Sequence, residues 1–390
     1  MIEKILKNGL EIDWTYVESI PEFAKLKGCP QNPKWHSEGT AWDHTVKCVE
    51  AAQKLLATEY QNLSETEKKT LLLSVLFHDI GKGETTEFVK GNWHAYGHEM
   101  ASERIARRLL WDENFTTREA ICSMARWHME VLRVADAKDF ITKILKMACM
   151  PFFNWEAAIF VKKCDSFGSE PEDPSQGKID EARLSFLTNV CISLGCYKYS
   201  KLIGSRIRYR LFGKSIDWSN PYSPSDKPFI AVLIGLPGAG KDTFIKNACS
   251  GEDIEVLCRD DIRAELGYCK EGDKIIGTSD QENEVSRVFF NRFIEYFKAG
   301  KNIVINNLNT KKKYREDYHK KLSAIMGKDT HRWEYIYIEA PTLADNIERR
   351  KGQIDEKVFN GIIDKFDWPT PDEYDDLFIE KQVQNFENEE

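Results

Sequence analysis

Residues Phe229–Phe244, FIAVLIGLPGAGKDTF, hold the pattern with the clearest chemistry. An apolar run from Phe229 to Ile234 meets Gly235, Leu236, Pro237, Gly238, Ala239, Gly240 and Lys241, and a helix-like pattern follows. This is G-x-x-x-x-G-K between a strand and a helix, the context a phosphate-binding loop requires. Its glycines let several backbone N–H groups turn toward one oxyanion, and the helix N-terminus adds partial positive charge. Lys241 supplies a point charge for the β- and γ-phosphates of a nucleoside triphosphate, ATP or GTP, accompanied by Mg2+. Asp242 stands where Ser or Thr is usual, and Thr243 follows. A chance Gly-rich turn is the plain alternative, and the flanking strand and helix weigh against it.

A second set of residues lies where polar side chains should be rare. His128 falls in register with Ile121, Met124 and Ala125, on the stripe of a helix that should face a core. Asp165 shares a face with Ala158 and Val161, and the pair His78-Asp79 closes the most apolar helix of the N-terminal half. A buried carboxylate is costly unless it is paired or binds a metal. His and Asp side chains converging from several helices suit a divalent ion. Singly, each of these histidines reads as an ordinary core residue. The joint pattern His44…His78-Asp79…His98…His128…Asp165 resembles the HD phosphohydrolase superfamily. HDIGK, the Gly97–Glu99 run GHE and the Arg126–Met129 run RWHM are similar to the HD domain of CCA-adding tRNA enzymes. The resemblance implies that His44, His78, Asp79 and Asp165 hold a first metal, Mn2+, Ni2+, Co2+ or similar. It also implies that His98 and His128 serve a second metal with Asp79 bridging, and that Lys82 reaches a substrate phosphate. His36 and His94 read as structural or substrate-contacting. Such a site implies hydrolysis of a phosphomonoester or a cyclic phosphodiester, and a nucleotide-only hydrolase is the rival reading.

Beyond the phosphate loop, Arg259-Asp260-Asp261-Ile262-Arg263 follows the strand-like run DIEVLC. A carboxylate at that strand end faces the crevice that holds the phosphates and can take a proton from an attacking hydroxyl. Charged strand-to-helix turns are common, so a capping role weighs equally. Behind GLPGAGKDT, the run resembles that of the bacteriophage polynucleotide 5′-kinase. The resemblance makes Asp260 the general base and Arg263 a contact to the acceptor's phosphate. Ile303–Thr310 resembles the third-strand segment of those kinases, with Asn306 where an Asp is frequent. Asn306 and Asp242 together suggest a rearranged Mg2+ shell. Arg349 and Arg350 occupy the lid position, while Gln353 falls near the family's second lid arginine.

The elements that must position these residues change in character along the chain. Residues 1–212 read as all-α, with Thr40 and Asp43 as a capping box and a short hairpin of alternating aromatics around Lys90-Gly91-Asn92. Ser169–Lys178 reads as a loop. Residues 213–227, with Pro221 and Pro224, read as a linker. Residues 228–390 alternate strands (FIAVLIG, DIEVLC, NIVIN, EYIYIEA) with helices, which predicts an α/β P-loop domain with a parallel sheet. At 390 residues the chain is long enough for two cores. A net charge of −8 excludes a bulk coat for nucleic acid but allows local basic grooves, with Arg206–Arg210 and Lys311–Arg315 as candidates beside a plain solvated reading. Ten cysteines without a C-x-x-C pair read as reduced core residues of a cytoplasmic protein. No apolar run is long enough to span a membrane, and the charged N-terminus does not read as a signal peptide.

The order of the two halves resembles the bacterial HD-Pnk family of RNA end-healing enzymes. That resemblance implies a kinase for 5′-hydroxyl RNA or DNA ends, a phosphatase for 2′,3′-cyclic phosphate or 2′-phosphate ends, and an RNA ligase as functional partner. Two other classes fit the same motifs: a small-molecule salvage kinase fused to a nucleotidase, and a nucleotide-sensing P-loop domain that regulates an HD hydrolase.

Overall fold

The computed structural model describes residues 1–198, 208, 210–213, 227–249, 253–268, 278–323, 331–351 and 353–381. Most of the expected linker, part of the Arg206–Arg210 cluster and the acidic C-terminal run lie outside these residues. The chain divides into two compact units, Met1–Lys214 and Ser215–Glu390.

The first unit is helical apart from one hairpin. Ala41–Thr58 (α1) starts at the expected capping box: Thr40 accepts from the Asp43 N–H, and Asp43 accepts from the Thr40 N–H. Glu65–Phe77 (α2) has a second box, between Ser64 and Glu67, and every residue from Leu71 to Phe77 is buried. A helix apolar on all sides belongs at the centre of a core. The helices α1, Phe115–Trp127 (α4) and Trp155–Gly168 (α5) pack against it, while His98–Leu109 (α3) packs on α4 and Gln176–Ser193 (α6) on α5. The helix α6 begins inside the stretch expected to be loop. Between α2 and α3, Thr86–Val89 (β1) pairs antiparallel with Asn92–Ala95 (β2). Lys90 and Gly91 both have positive φ, 51° and 84°, as a two-residue type I′ turn requires.

The glycine of HDIGK has a packing reason. A Cβ at Gly81 would lie 2.3 Å from the His98 carbonyl oxygen and 2.5 Å from the Ser102 nitrogen. Its N–H donates to Ser102 Oγ at 2.9 Å. The chain after His78-Asp79 thus lies against the first turn of α3, which brings His98 to them.

The second unit is a five-stranded parallel sheet in the order β4-β5-β3-β6-β7. Its strands are Phe229–Ile234 (β3), Ile254–Leu257 (β4), Asn302–Asn306 (β5), Arg332–Glu339 (β6) and Asp376–Lys381 (β7). Four match strands expected from sequence, and β7 is an edge strand that was not. Central β3 is buried from Ile230 to Ile234, as a parallel strand covered on both faces must be. Helices Lys241–Ala248 (α7), Arg259–Glu265 (α8), Ser279–Lys298 (α9), Lys312–Ser323 (α10) and Leu343–Arg349 (α11) accompany the strands. The chain steps from β3 to β4 on one side and later crosses to β6 on the other, so the carboxyl end of β3 is a switch point. The nine cysteines among the described residues are free thiols. No helix among the described residues is long and apolar enough to cross a membrane.

Replacing Gly81 by Ala should force α3 away from the chain beneath it. The expected loss is about 1–3 kcal/mol, the range for overpacking a filled site. Thermal unfolding of the first unit checks this, and an unchanged transition would contradict the close approach.

Candidate functional site

In the first unit, all six residues expected to hold metal meet in one place. His44 comes from α1, His78 and Asp79 from the end of α2, His98 from the start of α3, His128 from the end of α4 and Asp165 from α5. All are buried. The imidazoles share one orientation. His78 Nδ1 lies 2.6 Å from the Val75 carbonyl, His98 Nδ1 2.8 Å from that of Ala95 and His128 Nδ1 2.9 Å from that of Ala125. His44 Nδ1 lies 2.8 Å from Glu38 Oε1. Each Nδ1 therefore donates outward, and in the neutral ring a lone pair is left on the inward Nε2.

Those inward nitrogens surround the two carboxylates. His44 Nε2 is 3.1 Å from Asp165 Oδ1 and 3.5 Å from Asp79 Oδ2. His78 Nε2 is 3.3 Å from Asp79 Oδ2, and His98 Nε2 is 3.2 Å from Asp79 Oδ1. Neither contact is aligned as a hydrogen bond, and both His78 Nε2 and Asp79 Oδ1 lack a partner among the described residues. His98 Nε2 and His128 Nε2 face each other at 3.3 Å. With both Nδ1 positions already donating, one ring must take a second proton or both must share a cation. These residues fit a divalent metal: His44, His78 and Asp165 form one group with Cys48, and Asp79, His98 and His128 form another.

The surrounding charge holds the two carboxylates ionised and His128 neutral, whereas at His44 burial is outweighed by Cys48, Asp165 and Glu38, which raise it well above the ordinary histidine value. Burial opposes a charge on Asp79, yet His78 and Lys82 hold it well below the usual carboxylate range. Burial likewise opposes Asp165, and Lys162 and His44 outweigh it. Burial, with His78 beside it, drives His128 well below the ordinary histidine value, as a ligand held neutral requires. Lys82 Nζ donates to Asp79 Oδ2 at 2.6 Å and to Gln31 Oε1 at 2.8 Å, on the wall of a cavity of about 640 Å3.

Glu38 joins the cluster without having been expected from sequence. Its buried carboxylate lies 2.8 Å from both His36 Nδ1 and His44 Nδ1, and its other oxygen accepts from the Glu170 N–H at 2.9 Å. Three of the inward histidines are oriented by backbone carbonyls, and His44 alone by a carboxylate. Nothing local distinguishes Glu38 from a surface glutamate, because it precedes α1 and reaches His44 only through the fold. Lys162 carried a readable signal: one turn before Asp165, it donates to Asp165 Oδ2 at 2.6 Å.

In the second unit the loop from Gly235 to Thr243 closes at the carboxyl end of β3 and borders a cavity of about 1900 Å3. Gly238 and Gly240 have φ of 75° and 94°. A Cβ at Gly235 would lie 2.4 Å from the Ile338 carbonyl oxygen, so this glycine is required by close strand packing. Lys241 Nζ donates to the Gly235 and Leu236 carbonyls at 3.0 Å each, and burial brings its ammonium down to about 8. Arg349 donates to the Gly238 carbonyl at 3.0 Å, and Arg350 lies 3.9 Å from Asp242. Ala239, Thr243 and both arginines face the same cavity.

Asp242 and Asn306 belong together. Asn306 Nδ2 donates to Asp242 Oδ1 at 2.7 Å, so the carboxylate at the start of α7 faces the end of β5. Asp260 and Asp261, on the first turn of α8, also border the cavity. Burial and the nearby Asp242 and Asp260 raise Asp261. Arg263 grips Glu282 through both oxygens, at 2.6 and 2.8 Å, and also pairs with Asp260. It thereby fixes α8 against α9 while reaching the cavity. In the basic run Lys311–Arg315, Arg315 is buried and paired with Glu373 at 2.8 Å, which makes it a structural residue.

Residues 41–165 match the family model described as HD domain, and residues 230–369 match one described as AAA domain. The multifunctional CCA protein of Thioalkalivibrio sulfidiphilus (strain HL-EbGR7) is 31% identical over 132 residues, covering 33% of this chain and 29% of that protein. That of Pasteurella multocida (strain Pm70) is 34% identical over 90 residues, covering 23% of this chain and 20% of its own length. The chain thus spans less than a third of these curated relatives. A solved structure titled "Structure of Pnkp1/Rnl/Hen1 complex" is similar at 18% identity and a TM-score of 0.27, over 32% of this chain and 39% of that one. So slight a likeness carries no part of the reading. An HD hydrolase domain followed by a P-loop kinase-like domain is the composition of an enzyme, and the one the HD-Pnk resemblance implies. The HD domain implies divalent metal, and the kinase-like domain implies a nucleoside triphosphate and Mg2+.

Two outcomes follow. Glu38→Gln should weaken Mn2+ binding by roughly 10- to 100-fold, the range for losing a carboxylate behind a histidine ligand, as calorimetry on the intact protein would read. Asp242→Ala should raise the Mg2+ concentration needed for half-maximal triphosphate turnover severalfold. An unchanged requirement would leave Thr243 to serve the ion alone.

Proposed function

We propose that this chain heals broken nucleic-acid ends. Residues 1–212 remove a 2′,3′-cyclic phosphate or 2′-phosphate from 3′ ends. Residues 228–390 phosphorylate 5′-hydroxyl ends of RNA or DNA with ATP or GTP, and the products suit an RNA ligase. The observation that carries the kinase reading is the second unit's cavity. At about 1900 Å3 it exceeds the ~300–1,000 Å3 of ordinary small-molecule pockets, while the phosphate loop and Asp260 both border it. A triphosphate alone leaves much of that space for a polymeric acceptor.

In this reading the backbone N–H groups of Gly238 to Lys241 hold the phosphates, and the Lys241 ammonium balances charge on the β- and γ-groups. Asp260 accepts the proton of the attacking 5′-hydroxyl, while Arg263 orients its carboxylate and contacts the neighbouring acceptor phosphate. Arg349 and Arg350 close over the transferred group. In the first unit, His44, His78, Asp79 and Asp165 would hold one divalent ion, and His98 and His128 a second shared with Asp79. An ion bound there supplies Lewis acidity, lowering the pKa of water and neutralising phosphoryl charge. Lys82, fixed by Asp79 and Gln31, faces the substrate phosphate. The HD domain match over residues 41–165 supports a phosphohydrolase in the first unit.

The two sites use different residues, so their activities should separate. Lys241→Ala should reduce 5′ phosphorylation by roughly 10²–10³-fold, the scale of a lost electrostatic contact at a transition state, and spare 3′-end healing. His78→Ala should do the reverse. Both variants are assayed on a strand with a 5′-hydroxyl and a 2′,3′-cyclic phosphate. Loss of both activities in folded Lys241→Ala would replace independent healing with triphosphate control of the HD domain.

A further inference from the structure

The hairpin β1–β2 carries a feature that metal binding and phosphate hydrolysis do not use. His94, on β2, and Tyr96, in the turn that follows it, stack with ring centroids 4.9 Å apart and planes inclined by only 8°. Tyr96 is 67% exposed. Across the sequence, Trp35 is 46% exposed, with Lys34 Nζ 4.9 Å from its ring centroid. Trp35, His94 and Tyr96 all line the 640 Å3 cavity whose floor includes Asp79, His98 and His128.

Exposed apolar side chains scattered singly are ordinary, whereas several gathered around one cavity mark a binding site. Here they rim a site built for phosphate, beside a cation, and two of them already present parallel faces. Proteins that bind single strands use this combination: bases stack on aromatic rings while cations follow the backbone, whatever the sequence. A free mononucleotide has one base, and a rim with aromatic faces from two separate segments offers room for more.

We propose that Trp35 and the His94–Tyr96 stack form a platform for the last bases of a single-stranded polynucleotide 3′ end. This makes the HD site selective for oligonucleotide ends over cyclic mononucleotides. The inference rests on the end-healing reading for the first unit. Tyr96 and Trp35 act on the strand through their ring faces, so any aromatic ring should serve at either position.

The test compares a hexaribonucleotide ending in a 2′,3′-cyclic phosphate with a 2′,3′-cyclic mononucleotide, using the full chain with Mn2+. The native protein should prefer the hexamer by tenfold or more in kcat/KM. Trp35→Ala and Tyr96→Ala should each lower that ratio about fivefold or more, chiefly through KM for the hexamer, and Trp35→Phe and Tyr96→Phe should restore it. A native ratio near one, or a ratio untouched in both alanine variants, would overturn the platform. A second readout does not depend on turnover: a hexamer with 5-iodouridine as its last base is photo-crosslinked and the peptides are mapped. Crosslinks at Trp35, His94 or Tyr96 support the platform even if neither substrate is cleaved, a result that would instead remove the end-healing reading. Crosslinks confined to other segments, or a partner protein held by these residues with no RNA crosslink, would overturn it.

Discussion

Two buried carboxylates, Asp79 and Asp165, with four imidazole nitrogens turned toward them, set the terms for the whole first unit. Burying such charge is expensive, and Lys82 and Lys162 offset only part of it. The rest of the architecture serves this cluster. The buried second half of α2 places His78 and Asp79 at its end in the centre of the core. Gly81 lets α3 approach closely enough to deliver His98. The hydrogen bonds at each Nδ1 fix which nitrogen faces inward. A hydrophobic core alone would not need that common orientation.

The second unit solves a different problem with backbone more than side chains. A parallel sheet with its switch point at β3 leaves N–H groups at one strand end, and the glycines there answer to close neighbouring backbone at Gly235 and Gly238 and to positive φ at Gly238 and Gly240. Lys241 is half-buried and held by two carbonyls, which keeps a cation where phosphate charge will gather. The Asn306–Asp242 hydrogen bond shows how the chain tolerates an unusual last loop residue. An acid at the start of α7 and an amide at the end of β5 share one crevice.

Much of this was legible from residue spacing. The phosphate loop, the six converging His and Asp residues, the hairpin and the change from helices to alternating strands all depend on local pattern, and local pattern is what a sequence carries. Glu38 was not legible, because its contact with His44 is made by a loop with no periodicity to place it. Edge strand β7 was passed over because only Leu377, Phe378 and Ile379 are apolar between charged flanks, too short a run to distinguish from a loop. Arg315 reads as part of a basic surface cluster until Glu373, far along the chain, is seen to bury it. Only for Arg315 is the defining partner distant in sequence; Glu38 sits a few residues from His36 and His44, and it is the path of the loop that turns it inward.

The account turns on the claim that the buried His and Asp cluster is a metal centre and not a hydrogen-bonded core. Anomalous diffraction at the manganese edge, from crystals of the intact protein grown with Mn2+, measures this directly. The account predicts a peak among His44, His78, Asp79 and Asp165, with any second ion beside His98 and His128. Saturating Mn2+ with no peak in the cluster, and with the His98–His128 and His44–Asp165 contacts unchanged, would contradict it.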